Sequence, residues 1–204
     1  MTDGYKGAQI PSSAASEFDT MTFVITQILN RANTATLVQI KAVTNAGGVA
    51  AVGFVDVQPL VSQVDGYGQA IPHQVVHGLP YFRLQGGANA VILDPQPGDI
   101  GIAVFANRDI SAVKAKKGAA LPGSRRRFDM ADGMYLGGLL NGVPSQYVRF
   151  TSAGIDIVSP TQIQLQAPAV KIVSDTLTHN DVNVGATHEH GGVSRGSDST
   201  DAPH

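Results

Sequence analysis

The spacing of apolar residues changes twice along the chain, and each change indicates a different kind of element. Residues 1–15 are small and polar and are predicted to form an N-terminal arm. In the segment that follows, Ser16 and Asp19 have the spacing of a capping box. Residues 1–33 are therefore predicted to consist of this arm and a short amphipathic helix. The apolar face of the helix is formed by Phe18, Met21, Ile25, Ile28 and Leu29.

From residue 34 onward apolar and polar residues alternate, which is the period of a half-buried strand. Two such strands flank Asn45-Ala46-Gly47-Gly48, a sequence that favours the tight turn of a hairpin. Three further strands are predicted at QVVHGLPYFRL, NAVILDP and DIGIAVFAN. Five short strands in succession are typical of a small barrel, so residues 34–115 are predicted to form an OB-fold domain.

Residues 116–146 interrupt this alternation of apolar and polar residues, because they are charged and rich in glycine. We interpret them as a linker. Four apolar residues of this region are expected to pack back onto a neighbouring element: Phe128, Met130, Met134 and Leu136. The basic residues of the region are interpreted as a solvated surface. They are Lys114, Lys116, Lys117, Arg125, Arg126 and Arg127.

Residues 147–187 contain a strand repeat in which apolar pairs return about every eight residues. The pairs are Ile155 and Ile157, Ile163 and Leu165, Val170 and Ile172, and Val182 and Val184. So short a segment cannot enclose a core alone, because it buries too little surface to offset its ordering entropy. A cross-linked pair of sheets is one solution. We predict the other, an intertwined trimeric β-helix with Gln162, Gln164, Gln166 and Lys171 facing water.

The composition narrows the function classes. The 23 glycines and 11 prolines suit an all-β chain, and a net charge of −2 gives no reason to expect a nucleic-acid partner. Without cysteine, a metal site must use nitrogen and oxygen ligands. The common nucleotide-binding and hydrolase motifs do not occur, so no small-molecule substrate and no enzymatic activity are predicted. No apolar run approaches the ~18 residues that span a bilayer.

The apex, residues 188–204, begins with the sequence His-Glu-His, and residues two apart share one face of a strand. If the strand persists, His188 and His190 continue the apolar stripe of Val182 and Val184. One chain offers two imidazoles, whereas three chains offer six, which matches octahedral coordination. Imidazole suits iron, nickel, copper or zinc, but the four-ligand preference of zinc makes it a poorer match.

The remaining histidines are weaker candidates. His73 and His77 are interpreted as ordinary barrel or interface residues, and His179 as a turn cap. The His188 and His190 pair supports no catalytic chemistry, because cupin-type sites add a carboxylate and a further histidine downstream. A metallo-hydrolase pattern would need Asp in place of Gly192.

From about residue 35 onward the chain resembles the central, membrane-puncturing spike proteins of contractile-tailed phages and phage-tail-like bacteriocins. The resemblance rests on ILDPQPGDIGIAVFANRDI, RRRFDMADGMYLGGL, IDIVSPTQIQLQAPAVKI and THEHGGV. It implies a homotrimer whose OB-fold domains attach to a baseplate hub and whose β-helix points toward the host outer membrane. It also implies one iron ion per trimer, held by six imidazoles from His188 and His190. The resemblance does not specify whether the β-helix holds additional ions.

The resemblance places the protein in the virion or bacteriocin particle, at the tip of the tail baseplate, after assembly in the bacterial cytoplasm. Sheath contraction would drive it through the membrane without cleaving a bond. The alternative is a trimeric tail fibre that binds a receptor or glycan. Residues 151–204 contain none of the aromatic residues that glycan binders usually present, which favours the spike. A metal-dependent enzyme would require an open coordination position.

Overall fold

The chain forms two compact units, residues 1–143 and residues 144–204. They are seen in a computed structural model, which describes residues 12, 15–44, 48–65, 67–188 and 196. Within those ranges there are thirteen strands and two α-helices, which confirms the all-β prediction in its coarse form. No helix in the described ranges combines the length and apolar character needed to cross a membrane.

The predicted N-terminal helix is present as α1 (Glu17–Leu29). Ser16 caps it, since the Ser16 hydroxyl accepts a hydrogen bond from the Asp19 backbone N–H at 3.1 Å and donates one to the Asp19 carboxylate at 2.7 Å. This reciprocal pairing satisfies an N–H group that the helix itself leaves without a partner. None of the residues of α1 is buried.

The first unit is built on one five-stranded antiparallel sheet with two small hairpins beside it. The sheet has the order β5-β2-β1-β8-β9, and the hairpins pair β3 with β4 and β6 with β7. The strands are β1 (Ala35–Val43), β2 (Phe54–Pro59), β3 (Gln63–Val64), β4 (Ala70–Ile71), β5 (Val76–Pro80), β6 (Leu84–Gly86), β7 (Asn89–Val91), β8 (Ile100–Phe105) and β9 (Gly133–Gly138).

The sheet curls until its two ends meet. Tyr81, just after β5, forms a parallel bridge with Tyr135 of β9, and the Phe82 N–H donates to the Tyr135 carbonyl at 2.7 Å. A bulge between Ile40 and Ala42 in the pairing of β1 with β2 adds local bending. The inner face holds the core, which consists of Val38, Ile40, Val55, Val57, Leu79, Tyr81, Ala103, Phe105 and Tyr135.

Two glycines let the strands β8 and β9 approach the large core side chains. A Cβ atom on Gly101 would lie 2.1 Å from the Gly137 carbonyl oxygen and 2.3 Å from the Tyr135 hydroxyl oxygen. A Cβ atom on Gly133 would lie 2.7 Å from a methyl group of Leu79. The glycines are therefore part of the barrel packing, because any side chain there would displace an aromatic ring or a neighbouring strand.

The position of the fifth strand differs from the prediction. NAVILDP contributes only β7, which pairs with β6 outside the main sheet, whereas β9 lies inside the predicted linker 116–146 and pairs with β8. The first compact unit consequently ends at residue 143 rather than at 115. The sequence of β9 contains three glycines, a composition typical of a linker, although at Gly133 the close approach of Leu79 and Phe105 leaves no room for a side chain.

The connection between β8 and β9 carries a short helix, α2 (Ser111–Lys116), and a 3-10 turn over Met130–Asp132. Arg126 fastens it. The Arg126 guanidinium donates to both carboxylate oxygens of Asp132, at 2.6 and 2.8 Å, and to Asp109 at 3.0 Å. The interpretation of this cluster as a solvated linker is wrong for Arg126, although Arg125 and Arg127 are exposed.

The two aspartates are well satisfied although they are buried. The Asp132 side chain is fully buried, and it also accepts a hydrogen bond from the Ile110 N–H at 2.9 Å. The hydrogen bonds from Arg126 hold the pKa of Asp132 below its usual value. Those from Ser111 lower the pKa of Asp109 to about 2, so both carboxylates are charged at neutral pH.

The second unit contains four short strands in two antiparallel hairpins. They are β10 (Tyr147–Thr151) with β11 (Gly154–Val158), and β12 (Thr178–His179) with β13 (Val182–Asn183). The residues between β11 and β12 belong to no helix or strand within the single chain. The predicted strand repeat is therefore only partly hydrogen-bonded in one copy of the protein.

We expect Arg126→Ala to reduce the free energy of unfolding of the first unit by roughly 2 kcal/mol, because it leaves a buried carboxylate without its partner. The value lies below that of a fully buried pair since the Arg126 side chain is 36% exposed. Arg125→Ala is the matched control, and it should change little. Chemical denaturation monitored by tyrosine fluorescence measures both variants, and equal effects would contradict the assigned role of Arg126.

Candidate functional site

The segment 144–188 has apolar residues but no core. All of its residues are described, and none of them is buried within one chain. The four predicted apolar pairs are exposed by 45–74%, including Ile163 at 53% and Leu165 at 74%. A continuous exposed apolar surface of this kind marks a contact region in soluble proteins.

The β10–β11 hairpin shows most clearly that one face lacks a cover. Val148 pairs with Ile157, and Phe150 pairs with Ile155, so these four side chains lie on the same face. Their exposed fractions are 58–76%. The opposite face has its own polar interaction, because Arg149 donates to the Asp156 carboxylate at 2.7 Å. The hairpin is thus amphipathic, with its apolar side open.

Residues 163–176 lack backbone partners as well. Across this stretch, which the structure describes throughout, no backbone N–H or carbonyl group forms a hydrogen bond with another described residue. Extended segments satisfy these groups by pairing with a neighbouring strand, and backbone groups that become buried must be paired. Burial of Ile163 and Leu165 would therefore need strands that supply the apolar cover and the hydrogen bonds together.

The β12–β13 hairpin precedes the candidate metal ligands. Asn180 and Asp181 form its turn with φ angles of 48° and 64°, the left-handed values that a tight two-residue hairpin turn requires. His179 pairs with Val182 and lies on the strand, so the sequence interpretation of His179 as a turn cap is wrong. Directly opposite residues share a face, which puts this imidazole on the same side as Val182.

The strand does not continue to His188. The Asn183 side chain accepts from the Gly185 N–H at 2.9 Å and donates to the Thr187 hydroxyl at 2.9 Å. These contacts bend the chain, and the His188 N–H donates to the Gly185 carbonyl at 3.2 Å. The condition for that extension, a strand that continues to His188, is therefore not met within one chain, because the turn held by Asn183 follows β13.

The turn fixes one nitrogen of the His188 imidazole. Its Nδ1 lies 2.7 Å from the Gly185 carbonyl oxygen, and a carbonyl can only accept, so Nδ1 carries the proton. The lone pair of the ring is then on Nε2, and the side chain is exposed. A backbone carbonyl that binds the second ring nitrogen is a common support for a metal-binding histidine. His188 thus has the donor chemistry of a metal ligand.

A metal site at His188 would need ligands from further residues or chains. Within the ranges that the structure describes, no three or more His, Cys, Asp or Glu side chains converge. His190, the second predicted ligand, lies outside the described residues, as does most of the remaining apex. Among the described residues of the apex, the donor set is therefore the single imidazole of His188.

The two histidines of the first unit have local partners. The Nδ1 of His77 lies 2.8 Å from the Asp56 carboxylate, and the His73 carbonyl accepts a hydrogen bond from the Gln58 side chain. Neither arrangement gathers further ligand side chains among the described residues.

Comparison with known proteins provides no independent identification. No protein-family model matches this chain, and no curated protein matches it.

We expect the purified chain to self-associate, and Ile163→Asp to weaken that association by at least roughly 3 kcal/mol per chain, because it would place a carboxylate in an apolar contact. Gln164→Asp is the matched control, since it introduces the same charge at the adjacent position on the other side of the alternation. Sedimentation or light scattering gives the particle mass. A monomeric unmodified chain, or two variants with equal loss, would contradict the assignment.

Proposed function

We propose that the chain is the central spike at the tip of a contractile tail, which pierces the host outer membrane mechanically. The observation that carries the proposal is the segment 144–188, whose apolar side chains are exposed and whose residues 163–176 have no backbone hydrogen bond to another described residue. Three copies wound around one axis would supply both along the whole segment, as an intertwined trimeric β-helix. Such a prism has no free strand edge along its length, and this gives it the resistance to fraying that a piercing tool needs.

The first unit is proposed to be an OB-fold domain that attaches the spike to a baseplate hub protein. Five antiparallel strands whose outer members meet at Tyr81 and Tyr135 support this assignment, since the OB-fold is a small, partly open, five-stranded barrel. A compact unit with its own core suits an attachment domain, because its buried residues all lie within that unit.

The apex is proposed to hold one iron ion per trimer through His188 and His190. The Nδ1 contact of His188 supports the proposal, because a backbone carbonyl at one ring nitrogen is a common support for a metal-binding histidine. Six imidazoles would complete an octahedron and join three chain ends that would otherwise separate first. The ion is structural in this proposal, and the chain performs no catalytic step.

We expect the protein to contain about one iron ion per three chains when it is expressed with sufficient iron, and the double variant His188→Ala, His190→Ala to contain none. His77→Ala is the control and should retain the iron, because this side chain pairs with Asp56 in the barrel. Elemental analysis of the trimer peak measures both. Iron that is retained by the double variant would contradict the apex assignment and leave the trimer assignment standing.

Electron microscopy of contractile tails from cells that produce this chain tests the function. Gold-labelled antibodies against residues 144–188 should mark the distal end of the tail, on its axis. The alternative function, a receptor- or glycan-binding fibre, predicts label at the ends of peripheral fibres. Particles without label at either place would contradict both.

A further inference from the structure

The helix α1 exposes six of its seven large apolar residues, and only Phe23 is half-buried. The exposed fractions run from 49% to 78% for Phe18, Met21, Val24, Ile25, Ile28 and Leu29. The half-buried residues are Asp19, Phe23, Thr26 and Gln27. In an ordinary surface helix the apolar stripe faces the core of its own domain, whereas these six residues of α1 are exposed. The apolar stripe of α1 is therefore available to a partner.

The spacing within the stripe identifies the kind of partner. Phe18, Met21, Ile25 and Ile28 are separated by three, four and three residues, which is the a and d pattern of a coiled coil. In the second heptad both core positions are isoleucine. Isoleucine at both positions favours assemblies of three or four helices over two. The stripe thus fits further copies of α1 itself.

The flanking positions agree with parallel packing of identical helices. In a parallel coiled coil each g residue faces the e residue five positions later in its neighbour. Val24 would then meet Leu29, which extends the apolar contact, and Glu17 would meet the uncharged Thr22. No pair of like charges is brought together along the seam. This complementarity supports a second copy as the occupant.

The charge of α1 disfavours a lipid surface as the occupant. The helix contains Glu17 and Asp19 in its first turn and no lysine or arginine. Helices that lie on membranes usually present basic residues to the anionic head groups. A membrane would therefore attract this helix only through its apolar side chains.

The size of the stripe shows that it cannot hold an assembly together alone. Six large apolar side chains bury roughly 60 to 120 Å² each, which gives several hundred Å² per chain. Stable interfaces bury about 800 Å² per partner, and an isolated helix of 13 residues is marginal in water. The contact must therefore continue an association that is formed elsewhere in the chain.

We propose that the α1 helices of three chains pack in parallel through Phe18, Met21, Ile25 and Ile28 to form a short three-helix coiled coil. The inference rests on the proposed trimer of the segment 144–188. It assigns to α1 a second, smaller trimer contact, which orders the N-terminal region but does not create the trimer.

Cysteine cross-linking tests the contact, because the chain has no cysteine of its own. Ile28→Cys places a thiol in the seam, and Thr20→Cys places one on the outward side of the same helix. Each full-length variant is treated with a bismaleimide that has a two-carbon spacer. We expect at least about tenfold more linked dimer from Ile28→Cys, because seam residues of one trimer share a high effective concentration.

The mass of the unmodified chain, measured in parallel, separates the two proposals. A trimer with equal, low cross-linking of both variants overturns the helix contact and leaves the proposed function standing. A chain that is not trimeric overturns both. Binding to phosphatidylglycerol and phosphatidylethanolamine vesicles that Ile25→Asp removes, without cross-linking at position 28, assigns the stripe to a membrane and likewise overturns the contact.

Discussion

Backbone hydrogen bonding and apolar burial place the same demand on residues 144–188. The segment has alternating isoleucine, valine and leucine side chains, so it must be covered. Once covered, its N–H and carbonyl groups lose water and need partners. Within one chain, residues 163–176 have neither cover nor backbone partners among the described residues. Strands from other copies meet both demands at once, and the proposed trimer, spike and metal apex all depend on this constraint.

The first unit follows the opposite principle, because it satisfies its own backbone and core. Its five-stranded sheet curls until Tyr81 meets Tyr135, and glycines at positions 101 and 133 allow the strands to approach the buried rings. Arg126 then attaches the connection between β8 and β9 through buried aspartates. The molecule thus combines a unit that has its own core with a segment that has none within one chain. This division suits an anchored spike, in which one part binds a hub and the other provides stiffness.

Local patterns were predictable from the sequence, whereas features that join distant residues were not. The capping box at Ser16 and the antiparallel pairing of β1 with β2 depend on neighbouring residues, and both are confirmed. The tight turn predicted at residues 45–48 lies mostly outside the described residues, and β2 begins only at Phe54. The strand β9 was missed because its glycines indicated a linker, whereas Gly133 lies against the side chains of Leu79 and Phe105, which are distant in the sequence. The role of Arg126 was missed because its aspartate partners lie on both sides of it in the sequence. At His188 alternation failed because it cannot indicate where Asn183 ends a strand.

The absence of backbone pairing across residues 163–176 also determines how the molecule is made. A segment without internal partners cannot fold first and associate afterward, so in the proposed trimer folding and assembly are one reaction whose rate depends on chain concentration. After closure, the release of one subunit would require unwinding all three chains. Exchange between finished particles would then be negligible, and durability would be governed by a kinetic barrier rather than by the equilibrium free energy.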